Sequence, residues 1–489
     1  MLLMGSLQTG KNSSSLAVCD EKHLIAGNYI SIVNSIVTEY RIRLLLYFTA
    51  ALIIYPIRTY SQNNSLSGAV KSFTLEQCIN YALRHQPALD QSIINQSIAR
   101  TGNAINLSGW LPQLNLTGNL IHYNQLPTTL VANPIPGGPP VATRNGVSNI
   151  SIPEFSASQT IFDPQLLSAA KKAPLYVKQA EQITDSTKIY IVAAVSKSFY
   201  NLLQTLEQIN VLQEDTARLG RTVQDTHEQF LGGIVDETDY EQAVITLNNS
   251  KAQLRRQIEN VTPGYAALKQ LMGYSPEEQF QVIFDTTQME QETICDTTQQ
   301  LQYEKRIEYQ QLQTIKKLQH QQTVYYELSF LPSVSAFYDY YYEYESNTFS
   351  NLFKNAFPYS YIGLSFNLPL FTGLSRVENM HRSKLQEQVL DLAEINLKSQ
   401  IYKEYTSALA GYKSNLYNWR LLKDNKLRAQ NVYHIVSLQY KQGIVTYLNL
   451  IVAESNLITA EIGYTDALFE LLSSKIDVEK AIGEISLNN

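Results

Sequence analysis

The 489-residue chain carries seven histidines, three cysteines and five methionines, the side chains from which a metal site or a covalent catalyst is most readily assembled. Their spacing builds neither. The sequence has no Gly-rich phosphate loop, no His-Glu-x-x-His pair, no nucleophile elbow and no CxxC. His381 and His434 sit in polar, helix-patterned stretches and read as solvent-facing, and the methionines are too few for a copper(I) relay. Cys78 and Cys295 are too few and too far apart to announce a disulfide framework, so their pairing stays open. We therefore expect no enzyme, no cofactor and no metal site; recognition should lie in surfaces. The candidates are a row of tyrosines at two-residue spacing (Tyr338, Tyr340, Tyr342, Tyr344) and two apolar pairs beside glycines, Gly233-Ile234-Val235 and Gly443-Ile444-Val445.

The elements that must position these surfaces are written twice. Trp110-Leu111-Pro112 returns as Phe330-Leu331-Pro332, an offset of 220 (332 minus 112). Gly233 returns as Gly443, and Gly273 as Gly483, both offset by 210. A repeat this long is a whole supersecondary assembly and not a solenoid unit. The organisation expected is a leader and signal peptide over 1–61, a first structural repeat over 62–273, a linker over 274–300 and a second repeat over 301–489. The leader reading rests on Arg41 and Arg43 ahead of an apolar run from Leu44 to Tyr55, with maturation near Gln62. Twelve residues rise only about 18 Å as helix, short of the roughly 30 Å hydrocarbon layer. Cys19 lacks an apolar approach and is not read as a lipid-attachment site. A net charge of −6 with no basic stripe argues against nucleic acid as a partner.

Within each repeat the hydrophobic period changes. Helical patterning runs to Trp110, then Leu114, Leu116, Gly118 and Leu120 alternate with polar residues, and a second alternating run covers 150–162. The pair reads as a hairpin over 113–162 with a long Pro/Gly-rich loop. The second copy, over 333–371, places Val334 to Tyr344 on one strand and Ile362, Leu364, Phe366, Leu368 and Leu370 on the other. Very long helices follow each hairpin. Val192, Val195, Phe199, Leu202, Leu206 and Ile209 space as a coiled-coil seam, and a continuous helix over 163–231 would measure about 100 Å. Gly232-Gly233 and Gly443 mark the tips where the chain reverses, leaving each Ile-Val pair as a contact patch.

Four strands with one apolar face cannot remain an open sheet in lipid, because each unpaired edge amide there costs several kcal/mol. Closure needs other copies: two would give a filled barrel, three a 12-stranded one with a lumen, and three is the better expectation. In such a barrel the Tyr338 to Tyr344 row reads as a lipid-headgroup girdle in preference to a ligand-stacking platform.

A signal peptide followed by two copies of helix, aromatic-Leu-Pro, β-hairpin, very long helix, Gly-centred tip and returning helix resembles the TolC-like outer membrane efflux proteins, over about residues 70 to 485. The resemblance implies a fold of α plus transmembrane β, a homotrimer whose 12-stranded β-barrel in the outer membrane continues into a long periplasmic α-helical coiled-coil barrel. It implies the exit duct of a tripartite efflux or type I secretion system, with a periplasmic adaptor and an inner-membrane pump of RND or ABC type as partners. A soluble coiled-coil scaffold and a stand-alone diffusion porin are the competing readings. The resemblance also implies an entrance lock between a Tyr three residues before the second-tip Gly and an Asp six residues after the first, here Tyr440 and Asp239. A second lock pairs the Thr before that Asp with an Arg two residues past the second-tip Gly; this chain has Thr238 but Val445, so that lock is expected to be missing. The constriction aspartates of the family fall at Asn449 and Val452, so no acidic ring is expected at that level. Asp236, Glu237 and Glu454 are the remaining sources of negative charge there, and a solvated helix end is their commoner role. The Gly-Ile-Val segments at 233–235 and 443–445 correspond to the adaptor-docking tips.

Overall fold

The computed structural model describes residues 71–485, so the leader and signal reading lies outside the described residues. Strand β1 (Lys71–Phe73) pairs in parallel with β6 (Phe280–Val282), giving the linker a strand that holds the start of the first repeat. Helix α1 (Leu75–His85) opens on a capping box: the Gln77 amide donates to Thr74 Oγ1 and the Thr74 amide to Gln77 Oε1. Helix α2 (Pro87–Leu107) begins on proline, where a missing N–H costs nothing, and leaves through a 3₁₀ turn before Pro112.

The long helices are near copies in length. α3 (Pro164–Leu231) has 68 residues and α4 (Glu237–Met272) has 36; after the short α5 (Thr286–Glu292) and the 22-residue α6 (Ile307–Leu328), α7 (Ser375–Lys441) has 67 and α8 (Tyr447–Ile482) has 36. At 1.5 Å per residue α3 and α7 each span about 100 Å. Pro174 and Pro263 lie inside helices, α3 and α4. Packing along the rods outweighs the hydrogen bond each proline removes.

The main core sits where α1, α3, α4 and α8 meet. Val195, Phe199, Leu202 and Leu203 of α3 are buried with Leu268 and Met272 of α4 and Leu468, Phe469 and Leu472 of α8, each contributing on the order of 1.5–3 kcal/mol by burial. The seam read from the sequence supplies the α3 side of this core.

Strands β2 (Gln113–His122), β5 (Asn149–Phe162), β7 (Ser333–Ser346) and β8 (Ala356–Asn367) form one antiparallel sheet in that order. Two corrections apply. The Pro/Gly-rich segment between β2 and β5 is not all loop, since β3 (Thr128–Val131) and β4 (Val141–Arg144) pair within it. And β8 stops at Asn367, so Leu368 and Leu370 lie beyond the strand: Pro369 has no N–H to give the ladder.

Register assigns the faces. Leu116 stands beside Phe155, Phe155 beside Tyr340, and Tyr338 beside Ile362, so these share a face with Leu114, Leu120, Leu364 and Phe366. The opposite face carries Thr117, Glu154, Asp339, Tyr341, Glu343, Tyr359 and Tyr361. On the single chain Leu116, Ile362 and Leu364 are more than 70% exposed. β2 and β8 each present an edge unpaired among the described residues.

Candidate channel elements: helix tips, entrance and sheet wall

Both helix reversals are built alike. At the first, the Gly233 amide donates to the Phe230 carbonyl at 2.9 Å and the Ile234 amide to the Gln229 carbonyl at 2.8 Å. At the second, Gly443 donates to Tyr440 and Ile444 to Gln439, both at 2.9 Å. This is a Schellman closure, and it requires the left-handed backbone that Gly233 (φ 70°) and Gly443 (φ 72°) supply. Ile234 and Ile444 are 75% and 70% exposed at the extremities, while Val235 and Val445 are half-buried. Each tip thus offers one bare isoleucine.

Beneath the second tip, Tyr440, Tyr447 and Leu450 bury against Ala243 of α4, with Val445 packed on them. The Tyr440 hydroxyl donates to Gln229 Oε1 at 2.9 Å. The hydrogen bond that forms is therefore to Gln229 and not to Asp239; burial first, and the Asp239 charge after it, raise the Tyr440 pKa. Gln229 lies in the last turn of α3, and no local sequence pattern marks its side chain as a partner of Tyr440. Thr238 is exposed at the start of α4, and the position that would complete a second lock is the apolar Val445. Asn449 is exposed and accepts from Thr446 Oγ1 at 2.8 Å, closing the first turn of α8. Asp236 and Glu237 are exposed at the N-terminus of α4, where the helix dipole favours them.

Glu454 does not supply charge to an entrance. It is 1% exposed, with neither carboxylate oxygen hydrogen-bonded, 3.8 Å from the Arg218 guanidinium. Asp215, fully buried, takes a 2.6 Å bond from Ser250 and a 3.3 Å bond from Arg218. Burial first, and then the Asp215 charge, push the Glu454 carboxyl up to about 7. This polar group lies between α3 and α8 and ties the two helical hairpins together.

Tyr338, Tyr340, Tyr342 and Tyr344 do share the apolar face, with neighbouring rings 5.8 Å apart along the upper half of the row. They run along β7, however, so the row rises about 20 Å and its members sit at different depths. Only the Tyr344 end, with Phe353 against it at 5.3 Å, can meet a single headgroup layer. His381 and His434 are exposed, and Cys78 and Cys295 are free thiols.

Residues 78–274 match the family model for the outer membrane efflux protein. The segment belongs to that family. Over 222 residues the chain is 21% identical to the outer membrane protein TolC of Vibrio cholerae, an alignment covering 45% of this chain and 47% of that protein, so less than half of the relative is spanned. Solved structures extend the likeness. VceC of Vibrio cholerae superposes with a TM-score of 0.66 at 16% identity, over 84% of this chain and 96% of its own. The CmeC outer membrane channel of Campylobacter jejuni gives 0.68 at 18% identity, over 84% and 85%. The open-state MtrE outer membrane channel of Neisseria gonorrhoeae gives 0.64 at 19% identity, over 84% and 88%. The chain therefore has the fold of these channels, a helical part continuous with a β-sheet part. The family match over residues 78–274 indicates an outer-membrane location, with the helices extending into the periplasm.

Proposed function

We propose that the chain is the passive exit duct of a tripartite efflux or type I secretion system, acting as a homotrimer. The observation that carries the reading is the open four-stranded sheet with two free edges and an exposed apolar face, joined to paired helices about 100 Å long. Three copies close twelve strands, satisfy both edges and leave a lumen. The exposed apolar residues of α7, among them Leu385, Val389, Leu392 and Ile395, repeat at spacings of four and three. They give neighbouring copies a lengthwise seam.

Substrates would cross without covalent chemistry, driven by an inner-membrane pump and admitted when the tips separate. Ile234 and Ile444 are the proposed contacts for a periplasmic adaptor, flanked by Gly233, Val235, Gly443 and Val445. The Tyr440–Gln229 bond and the packing of Tyr447 hold the second tip onto the first hairpin, with Asp239, Thr238 and Asn449 framing the same entrance. An adaptor that binds the separated tips better than the packed ones opens the entrance by that difference alone.

The test is a membrane fractionation with a heat-modifiable trimer assay, followed by crosslinking from Ile234→Cys and Ile444→Cys to a co-expressed adaptor. A detergent-resistant outer-membrane trimer with tip crosslinks is expected. A water-soluble monomer would overturn the reading, and a trimer whose tips never crosslink would leave a diffusion porin.

A further inference from the structure

The polar face of the sheet carries charge of one sign only. The four strands hold four carboxylates, Glu154, Asp339, Glu343 and Glu345, and no lysine or arginine. Alternation places all four on the face opposite the Leu-Ile-Phe stripe. Between them runs a ladder of rings. Phe337 covers Gly363, where any Cβ would strike its ring, and meets Tyr361 edge-on at 6.1 Å. Tyr361 stacks on Tyr341 at 5.8 Å, and Tyr341 on Tyr359 at 4.8 Å with the planes 12° apart. The Tyr341 hydroxyl donates to Glu154 Oε1 at 2.9 Å, and Thr117 Oγ1 donates to Glu154 Oε2 at 3.3 Å. Thr117, Glu154, Tyr341 and Tyr359 are successive partners across all four strands, so the feature spans the width of the sheet.

We propose that this face is a recognition wall for organic cations, so that the barrel, and not only the pump, discriminates cargo by charge and by flatness. The proposal rests on the duct reading, which turns the face toward a lumen. A cation carrying an aromatic or planar apolar group meets both halves of the wall: tyrosine faces attract it through their quadrupole and by stacking, and the carboxylates supply opposite charge. An anion of the same shape meets like charge with no compensating cation on the strands. Held in place by Tyr341 and Thr117, the Glu154 carboxylate is fixed where cargo passes the rings. In three copies the four strands bring twelve carboxylates, four from each, into a confined passage with low-dielectric walls, which concentrates cations.

The test uses the full-length protein in planar bilayers. In a potassium chloride gradient the reversal potential is expected to report about a tenfold preference for cation over anion. Benzyltrimethylammonium is expected to reduce potassium current at concentrations about tenfold below those of benzenesulfonate, an anion of similar size, or of ringless tetramethylammonium. Glu154→Gln combined with Asp339→Asn and Glu343→Gln should bring the permeability ratio toward unity. Tyr359→Leu should weaken the benzyltrimethylammonium block while the potassium-to-chloride ratio stays within about twofold. Wild-type channels with a ratio near unity, or with equal block by the two aromatic ions, would overturn the wall, and this result needs no variant to assemble. Absence of any channel, together with absence of a trimer, would overturn the duct itself.

Discussion

The two copies in this chain share their backbones and differ in what they bury. Position for position, offset by 210, the tips have the same Schellman closure, the same glycine conformation and a 36-residue helix returning from each. Beneath the first tip, half-buried Tyr240 stacks on half-buried Phe230 and sits tilted against the exposed His227. Beneath the second, Phe230 is replaced by Tyr440 and Glu237 by Tyr447, and both tyrosines are buried against α4. Duplication supplied the hairpin; substitution at its end made one copy a free tip and the other a clasp.

The sharpest way to break this comparison is to remove matching rings. Tyr440→Ala should cost about 3–5 kcal/mol of local stability, as for large buried aromatics, whereas Phe230→Ala at the equivalent half-exposed site should cost clearly less. Amide exchange in the tip segments measures both; equal protection losses would mean the copies are not specialised.

Next comes the buried carboxylate between the hairpins. Because Glu454 has its pKa raised from 4.5 to about 7, the folded state holds its proton more tightly than the unfolded chain does. Stability from this group is therefore undiminished below about pH 4.5, falls as pH rises through the window, and levels off above about 7, a total of about 3 kcal/mol. Glu454→Gln should flatten that slope, so the thermal midpoints of variant and wild type diverge progressively from pH 5 to pH 8. Asp215 is shifted in the same direction by its own burial and adds to the wild-type slope in both proteins.

Glycines at the far ends of the returning helices give a smaller, paired test. Gly273 (φ 66°) and Gly483 (φ 78°) cap α4 and α8, and a Cβ at either would press on a carbonyl, that of His85 or Lys305. Gly273→Ala should cost about 2 kcal/mol and Gly483→Ala somewhat less, because the His85 carbonyl lies closer; thermal midpoints should rank them. The smallest change is Tyr440→Phe, which removes one hydrogen bond worth about 1 kcal/mol. It should raise the open probability in bilayers, with Gln229→Ala matching it and Asp239→Ala falling short. An Asp239→Ala effect equal to that of Tyr440→Phe would restore the pairing expected from the sequence.

What the sequence disclosed follows from how locally each feature is encoded. The glycine tips, the seam from Val192 to Ile209 and the alternation at Leu114 or Tyr338 are written in neighbouring residues, and the corresponding elements appear. Glu154 and Tyr341 join through strand register across 187 residues, and Gln229 reaches Tyr440 across 211, pairings no local pattern marks. The tyrosine row drew notice for its composition, but its direction along one strand, which decides its depth in a bilayer, is a property of the fold. Glu454 reads from the sequence as negative charge at the constriction or a solvated helix end, and only its packing beside Asp215 and Arg218 shows it to be a buried carboxyl.

The parallel pairing of Lys71–Phe73 with Phe280–Val282 means that the first copy returns to its own beginning before the second is spelled out. The second does likewise, since Lys305 reaches Glu484 at 3.0 Å and Arg306 reaches the Ala481 carbonyl at the same distance. An exported chain that emerges N-terminus first can thus fasten one half shut while the rest is still arriving, which shelters its long apolar rods from their counterparts on other molecules until the sheet has all four of its strands.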